Sequence, residues 1–366
     1  MSYDLILLAS GKDFHAIDWY RNIKYVSPHL NCVYVTDLIS SESEPILLNK
    51  NDNIIKLFII DNFLFKKRSK LGDKWRNIIK LTFFPIQIFK LNKIIKNNPA
   101  AIVHAHTMYY TFLCWLIGIN YISSPQGSEI LVRPFQSRLY KFFAIQALKK
   151  ANHIIIDSQN LKEQIYNLTG KESYIIQYGI DVKNIIENRK IKDRNRITSI
   201  RGIYPLYRIE EIFNARKHSK SPINLSFFYP FHNDIYKVQV FLNLQKNDDD
   251  FGRLPEKSSI YDILYETLLA ISIPISDSSP RSVAEAIFCG AYVAVTYSRW
   301  IDTLPECMLK RIIIINIDDP NWLSKTIEVA KLNSKNEYVP SKEAINKYDQ
   351  LETMSVISRK FYLKHE

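Results

Sequence analysis

Residues 268–290 read LLAISIPI, SDSSPRS, VAEAIFCG, and the fold of the chain turns on these three pieces. LLAISIPI is an apolar, β-branched run of strand length, and VAEAIFCG has helical spacing and closes on a glycine. The loop SDSSPRS joins them, with Pro280 suited to a first helical turn. Strand, short loop and helix are the repeating unit of a parallel α/β sheet, whose ligands gather at the carboxyl ends of the strands. The helix start offers backbone N–H groups and the positive end of a dipole, which attract phosphate. Two carboxylates flank that start, eight positions apart. Glu285, one to two turns into the helix, suits a pair of hydroxyls such as those of a ribose better than a phosphate. Asp277, at the strand tip, could accept from hydroxyls at the far end of the same ligand. A sugar–diphosphate–nucleoside laid across the loop matches that order. The plainer reading, Asp277 capping a turn and Glu285 on an exposed helix face, stands beside it.

Outward from this unit the same alternation covers the chain. DLILLAS, CVYVTD, IIKLFII, AIVHAH, NYISSP, HIIIDS and SYIIQYG read as strands in the first half. FHAIDWYRNIKYV, DKWRNIIKLTFF, SRLYKFFAIQALKKA and QNLKEQIYNLTG carry helical spacing between them. A charged stretch, VKNIIENRKIKDRNR, reads as a linker. ITSIRG, INLSFFYP, KVQVFLNL, LAISIPIS, AYVAVTY and IIIINI then read as strands of a second half. The expected architecture is α/β: two Rossmann-like domains, 1–183 and 197–340, facing across a cleft that holds the ligand. Residues 341–366 are expected to form a helix packing back on the first domain. No G-x-G-x-x-G fingerprint or Walker loop occurs, and the chain has only nine glycines, so the usual dinucleotide and P-loop readings lack support.

Of the 366 residues, 46% are hydrophobic and 23% charged, a globular composition. The four cysteines have no zinc-motif spacing and suggest no disulfide framework, so a reducing cytoplasm is expected. MSYDLILLAS reads as a first strand rather than a signal peptide. HTMYYTFLCWLIGINYI, the most apolar window, falls short of the ~20 clean apolar residues of a membrane span, so a soluble chain is expected. The net charge of +12 is concentrated. Residues 56–96 carry 11 basic and 2 acidic side chains interleaved with Phe and Trp. Such a segment suits an anionic membrane surface, with nucleic acid as the rival and a solvated helix face as the plainer account.

The spacing from Asp277 to Glu285, followed by AIFCG, resembles the Glu-x7-Glu motif and trailing Glu-Ala-Met-x-x-Gly of retaining GT-B glycosyltransferases. The group is the glycogen-synthase-like one of the family 4 type, and the likeness is to its bacterial surface-polysaccharide branch. SPQGSEILVRP resembles that group's His-Gly-x-Asp region, and IIQYGIDVKNI its Pro-x-Gly-(Ile/Val)-Asp signature. ALKKANHIIIDSQNLKEQI and RITSIRGIYPLYRIEEIFNA resemble two further stretches, in the same order, over roughly residues 1–305.

The resemblance implies roles. Glu285 would hold the donor ribose and Asp277, one methylene shorter than the usual Glu, would lie against the donor sugar. The backbone at Pro280, Arg281, Ser282 and Val283 would approach the sugar and diphosphate. Arg201 matches the arginine that binds the diphosphate; the usual assisting lysine is missing, and Arg208 is a candidate substitute. In the first domain, Gln126, Gly127 and Glu129 stand in the His-Gly-x-Asp region, and Gln cannot act as acid or base. Gly11 of the first loop would meet the donor, while His15 of that loop, Gly127 and Glu129 would fall on the acceptor side. His106, which ends the AIVHAH strand, and Gln126 are catalytic candidates with Asp277 and Arg201. The resemblance further implies a hexosyltransferase that uses a UDP- or GDP-sugar, retains configuration and needs no metal or cofactor. The acceptor would be lipid-linked or a cell-surface polysaccharide such as a lipopolysaccharide or capsule. The enzyme would sit on the inner face of the cytoplasmic membrane through residues 56–96, without binding nucleic acid. A nucleotide-sugar epimerase or hydrolase of the same fold, and a non-catalytic nucleotide-sugar binder, are the alternatives.

Overall fold

The computed structural model describes residues 2–11, 13–38, 52–59, 70–189, 193–254 and 256–363. The chain forms two compact units. The first comprises Met1–Tyr178 with Thr353–Glu366, and the second Gly179–Glu352.

In the first unit the elements run β1 (Leu5–Leu8), α1 (Phe14–Val26), β2 (Cys32–Leu38), β3 (Ile54–Ile59), α2 (Lys70–Lys96), β4 (Ile102–His106), α3 (Met108–Ile117) and β5 (Ile122–Ser124). There follow α4 (Gly127–Leu131), α5 (Arg133–Gln136), α6 (Arg138–Lys150), β6 (His153–Ile156), α7 (Gln159–Thr169) and β7 (Tyr174–Ile175). The sheet is wholly parallel, in the order β3-β2-β1-β4-β5-β6-β7. The strand β1, LILL, is buried throughout because both faces are covered. Ile6 and Leu8 point into one core, with Leu91 of α2, Leu113 of α3, Ala147 of α6 and Ile165 of α7. Leu5 and Leu7 point into the other, with Trp19 and Ile23 of α1. That second core also takes Met354, Ile357, Phe361 and Tyr362 from the end of the chain.

The second unit runs α8 (Val182–Glu187), β8 (Arg196–Ser199), α9 (Ile209–Lys217), β9 (Leu225–Phe228), α10 (Asp234–Phe241), β10 (Asp249–Gly252), α11 (Lys257–Glu266) and β11 (Thr267–Ser272). It continues with α12 (Arg281–Phe288), β12 (Tyr292–Thr296), α13 (Glu306–Leu309), β13 (Ile312–Ile315), α14 (Trp322–Leu332) and α15 (Lys342–Tyr348). The division between units falls within the next helix, α16 (Gln350–Ile357). This sheet too is parallel, in the order β10-β9-β8-β11-β12-β13. Gly290 turns the chain from α12 into β12 at a φ of 94°, and a Cβ there would fall 2.3 Å from the Arg194 guanidinium. Glycine meets both demands.

Three sequence expectations are corrected. KVQVFLNL, read as a strand, lies mostly in α10: Asn233 caps the Tyr236 N–H at 2.9 Å, Asp234 opens the first turn, and only Val240 of the helix is buried. The strand in that region is instead DDFG, a short charged edge with no apolar alternation to announce it. The stretch read as a linker begins with α8, whose Val182 and Ile185 are buried in the second unit's core. Residues 341–366 are not one helix. Ala344 and Tyr348 of α15 belong to that same core, and a break at Asp349 precedes the segment that joins the first unit.

Candidate functional site

In the second unit the strand order reverses between β8 and β11, which places a crevice at their carboxyl ends. Arg201 follows β8 and Asp277 follows β11, so two residues far apart in sequence meet there. Arg201 Nη2 lies 2.5 Å from Asp277 Oδ2, and Nη1 donates to Ser282 Oγ at 3.0 Å. The guanidinium stands over the Tyr207 ring, 4.8 Å from its centroid. Its Nε is buried and meets no acceptor among the described residues. Asp277 Oδ1 in turn accepts from the Ser278 N–H at 2.9 Å.

The helix α12 begins immediately after Pro280, which has no side-chain oxygen to cap the first turn. The first N–H groups of a helix have no intrahelical acceptor, and an anion satisfies them well. Ser282 is in that turn, beside Arg201. Val283 sends its side chain into the core, and its N–H donates to the Pro280 carbonyl at 3.1 Å, so the amides open to an anion are those of Arg281 and Ser282. Glu285 is buried in the second turn and ion-paired with Lys257, the first residue of α11. Tyr261, one turn along α11, has a buried hydroxyl with no partner among the described residues. Lys257 and Tyr261 are functional candidates that the sequence reading missed. Their four-residue spacing puts them on one helix face, but nothing in the sequence ties that face to Glu285.

Arg208 is placed differently from the diphosphate cation expected of it. Its Nε donates to the Ile273 carbonyl at 2.7 Å, and its Nη2 to the Pro274 carbonyl and Thr296 Oγ1, both at 3.0 Å. Those three bonds tie the end of β11 to the end of β12, and they accompany a left-handed backbone at φ 52°. Arg208 holds the crevice wall.

The equivalent reversal in the first unit falls between β1 and β4. Gly11 is buried just beyond β1, and His15, in the first turn of α1, is exposed and stacks on Tyr178 at 5.8 Å. Asp13 caps α1 by accepting from the His15 and Ala16 N–H groups. Gln126 Nε2 donates to the same carboxylate at 2.9 Å, so the first loop and the Gln126 loop are joined. Gly127 opens α4. Glu129 is buried, and its Oε2 accepts from the Met108 N–H at 2.8 Å and the Gln126 N–H at 3.0 Å. Burial raises the Glu129 pKa, against the pull of those two bonds and of Arg133. The carboxylate thereby caps α3, whose entry at Thr107 takes a φ of 76°. A β-branched residue rarely adopts that conformation, and it costs about 1–3 kcal/mol.

His106, at the end of β4, is sealed rather than open. Its ring lies edge-on to Trp19 at 4.6 Å and beside His104 at 4.5 Å. Burial lowers its pKa to about 3, with His15 adding to the effect, so the imidazole is neutral. His104 bonds Ser124 Oγ at 2.8 Å through Nε2 and the Tyr362 hydroxyl through Nδ1. Tyr362 also accepts from Trp19 Nε1 at 3.1 Å. None of these partners could be read from the His-x-His pattern, because Tyr362 arrives from the far end of the chain.

Residues 5–160 match the family model described as Glycosyl transferase 4-like, a span that fills most of the first unit and somewhat under half of the chain. No curated protein matches the chain by sequence. Among solved structures, HepE of Anabaena in complex with UDP and glucose is similar at a TM-score of 0.73 and 12% identity, over 98% of each chain. A glycosyltransferase from Rickettsia africae ESF-5 is similar at 0.68 and 13%, over 99% of this chain and 98% of its own. A Listeria monocytogenes protein provisionally described as a UDP-N-acetylglucosamine 2-epimerase follows at 0.59 and 14%, over 100% and 98%. Likeness at such identities establishes the fold, the two Rossmann-like domains of GT-B enzymes. The family model's match over residues 5–160 is a likeness of the first unit to glycosyl transferase 4-like proteins, in agreement with that fold.

Proposed function

We propose that the chain moves a hexose, with retention and without a bound metal, from a UDP- or GDP-sugar to a lipid-linked or cell-surface polysaccharide acceptor. The observation that carries this reading is the Arg201 guanidinium. It is fixed between Asp277 and Ser282 at the start of α12, with one buried N–H still lacking an acceptor. A diphosphate there would lie against a cation and the N-terminal amides of the helix. As the anomeric C–O bond to the diphosphate breaks, the leaving oxygen gains charge, which a preoriented cation stabilises without reorganising. The acceptor oxygen forms the new bond on the same face, and its proton passes to the departing phosphate. Such a step needs no protein base, in keeping with a neutral, buried His106 and an amide at Gln126. Glu285 takes the ribose hydroxyls once Lys257 releases its carboxylate, and Asp277 takes the sugar. His15, Gly127 and Glu129 are assigned to the acceptor side, with Glu129 acting through the loop it braces, and Gln126 to the reacting centre, where its amide can bond a sugar but move no proton.

In this reading the enzyme works at the inner face of the cytoplasmic membrane, held there by residues 56–96. Of that segment β3 and α2 are described, while Lys66, Lys67 and Arg68 lie outside the described residues. Among the described residues no helix is long and apolar enough to cross a membrane. The Listeria likeness supports a second reading, an epimerase or hydrolase, which would form product with no acceptor supplied.

Ligand-observed NMR of the purified chain against UDP-, GDP-, CMP- and ADP-sugars, with chelator present, tests the proposal. One nucleotide class should bind the parent and fail with Glu285→Ala. Binding that is unchanged in that variant, or no binding at all, would overturn it.

A further inference from the structure

The helices α2, α3, α6 and α7 cover one face of the first unit's sheet, with α3 in contact with both α2 and α6. The side such helices turn away from the sheet is ordinarily polar. On α6 it is not. Ala144, Ala147 and Leu148 are buried against the sheet, whereas Leu139 is 67% and Phe142 56% exposed. Phe135 of α5 is 64% exposed. Leu139, Phe142, Gln146 and Lys149 follow one another at steps of three and four, so they share one side of the helix. The patch continues onto α3, where the Trp115 ring meets Phe143 at 5.8 Å and Leu116 is exposed. Scattered exposed apolar residues are ordinary, but a contiguous patch marks a binding surface. Its exposed charge is basic: residues 130–156 hold five basic side chains and no acidic one, and the neighbouring carboxylate, Glu129, is buried and pairs with Arg133.

We propose that α5 and α6 form a docking face for an anionic lipid membrane. The aromatic and leucine side chains would enter the boundary between headgroups and acyl chains. Arg133, Arg138, Lys141, Lys149 and Lys150 would lie in the phosphate layer, their apolar stems buried beside the rings. Charge complementarity selects this occupant. A second copy of the chain would set the same five cations against themselves, and a nucleic acid would leave Leu116 and Leu139 without a partner. The last turns of α2 extend the pattern, with Ile86 and Phe89 exposed beside Lys90 and Lys93. The inference rests on the membrane association proposed above. It moves the main contact from residues 56–96 to two helices that lie outside that segment.

Co-sedimentation of the full chain with mixed phosphatidylglycerol–phosphatidylcholine vesicles, and with phosphatidylcholine vesicles, tests it. The parent should bind the anionic vesicles and lose affinity in high salt. The triple variant Phe135→Ser/Leu139→Ser/Phe142→Ser should bind them about tenfold or more weakly, with thermal unfolding and nucleotide-sugar binding unchanged. A parent that binds alongside a triple variant that binds equally well overturns the assignment to α5–α6 alone. A parent that ignores both vesicles overturns the membrane reading as well, while the donor-binding NMR stands or falls separately. Self-association of the parent that the triple variant abolishes, with no vesicle binding by either, would assign the face to a second copy and overturn the proposal.

Discussion

At the strand reversal of the second unit, Arg201 and Asp277 form a partly exposed ion pair at the start of a helix. At the reversal of the first unit, His104 and His106 are packed against Trp19 and kept neutral. Both pairs occupy the place where a parallel sheet opens a crevice, yet one is built to meet charge and the other to exclude it. The topology supplies a location; side-chain chemistry decides what that location can do.

The sharpest way to break this contrast is to remove the cation. Arg201→Ala should lower the transfer rate by about 10²–10³-fold, the range seen when one preoriented donor to a developing charge is lost. Arg201→Lys should restore part of it. Steady-state rates with the donor identified by NMR would measure both, and a rate unchanged in Arg201→Ala would deny the second crevice its charged role.

The neutral pair predicts a pH effect instead. His106 has a folded pKa of about 3, below its unfolded value of about 6.5. Between those values the unfolded chain binds the extra proton, so its contribution to stability is complete above about pH 6.5 and declines as pH falls toward 3. From about pH 6.5 to 5 the loss is about 2 kcal/mol at most. His106→Gln should flatten that slope in denaturant unfolding of the full chain. Glu129 and Asp13, whose pKa values burial raises, act in the opposite sense, so the comparison of variant with parent isolates the histidine.

Tyr362→Phe should cost about 1–2 kcal/mol, because it leaves Trp19 Nε1 and His104 Nδ1 buried with their shared partner gone. Nucleotide-sugar binding should not change, and a loss of binding would give the buried histidine cluster a part in the donor site. The smallest effect belongs to Lys257→Ala. The lysine is nearly half exposed, and such pairs contribute about 0–1 kcal/mol. Freed of it, Glu285 should bind the nucleotide equally or up to about fivefold more tightly by titration calorimetry; weaker binding would make Lys257 a ligand-contacting residue.

The sequence announced β11 and α12 clearly, since a fully apolar run and a helix start leave little choice of structure. α1 falls on the residues its periodicity predicted. Local reasoning failed at KVQVFLNL, where period-two apolar spacing competed with the Asn233 cap and lost. It also failed at DDFG, an edge strand with no buried alternation to read. At the candidate site, Asp277 and Glu285 were legible as carboxylates at a spacing, and Arg201 through the family resemblance. The hold of Lys257 on Glu285 and the commitment of Arg208 to strand ends were not, because both depend on which helix or loop lies beside which strand. The exposed apolar side of α6 was hidden for a related reason. Its aromatics look like core until the sheet shows which side they turn away from.

Tyr362 carries one more consequence, in the order of synthesis. The first unit leaves the ribosome through Tyr178 with Trp19 and His104 still lacking the hydroxyl they share. About half a chain of translation separates them from the residues that complete their core. A nascent first domain must therefore wait, incompletely closed, while the second is made. Expression of residues 1–178 alone should yield a product that binds chaperones and resists crystallisation, whereas appending residues 353–366 through a flexible linker should mend it.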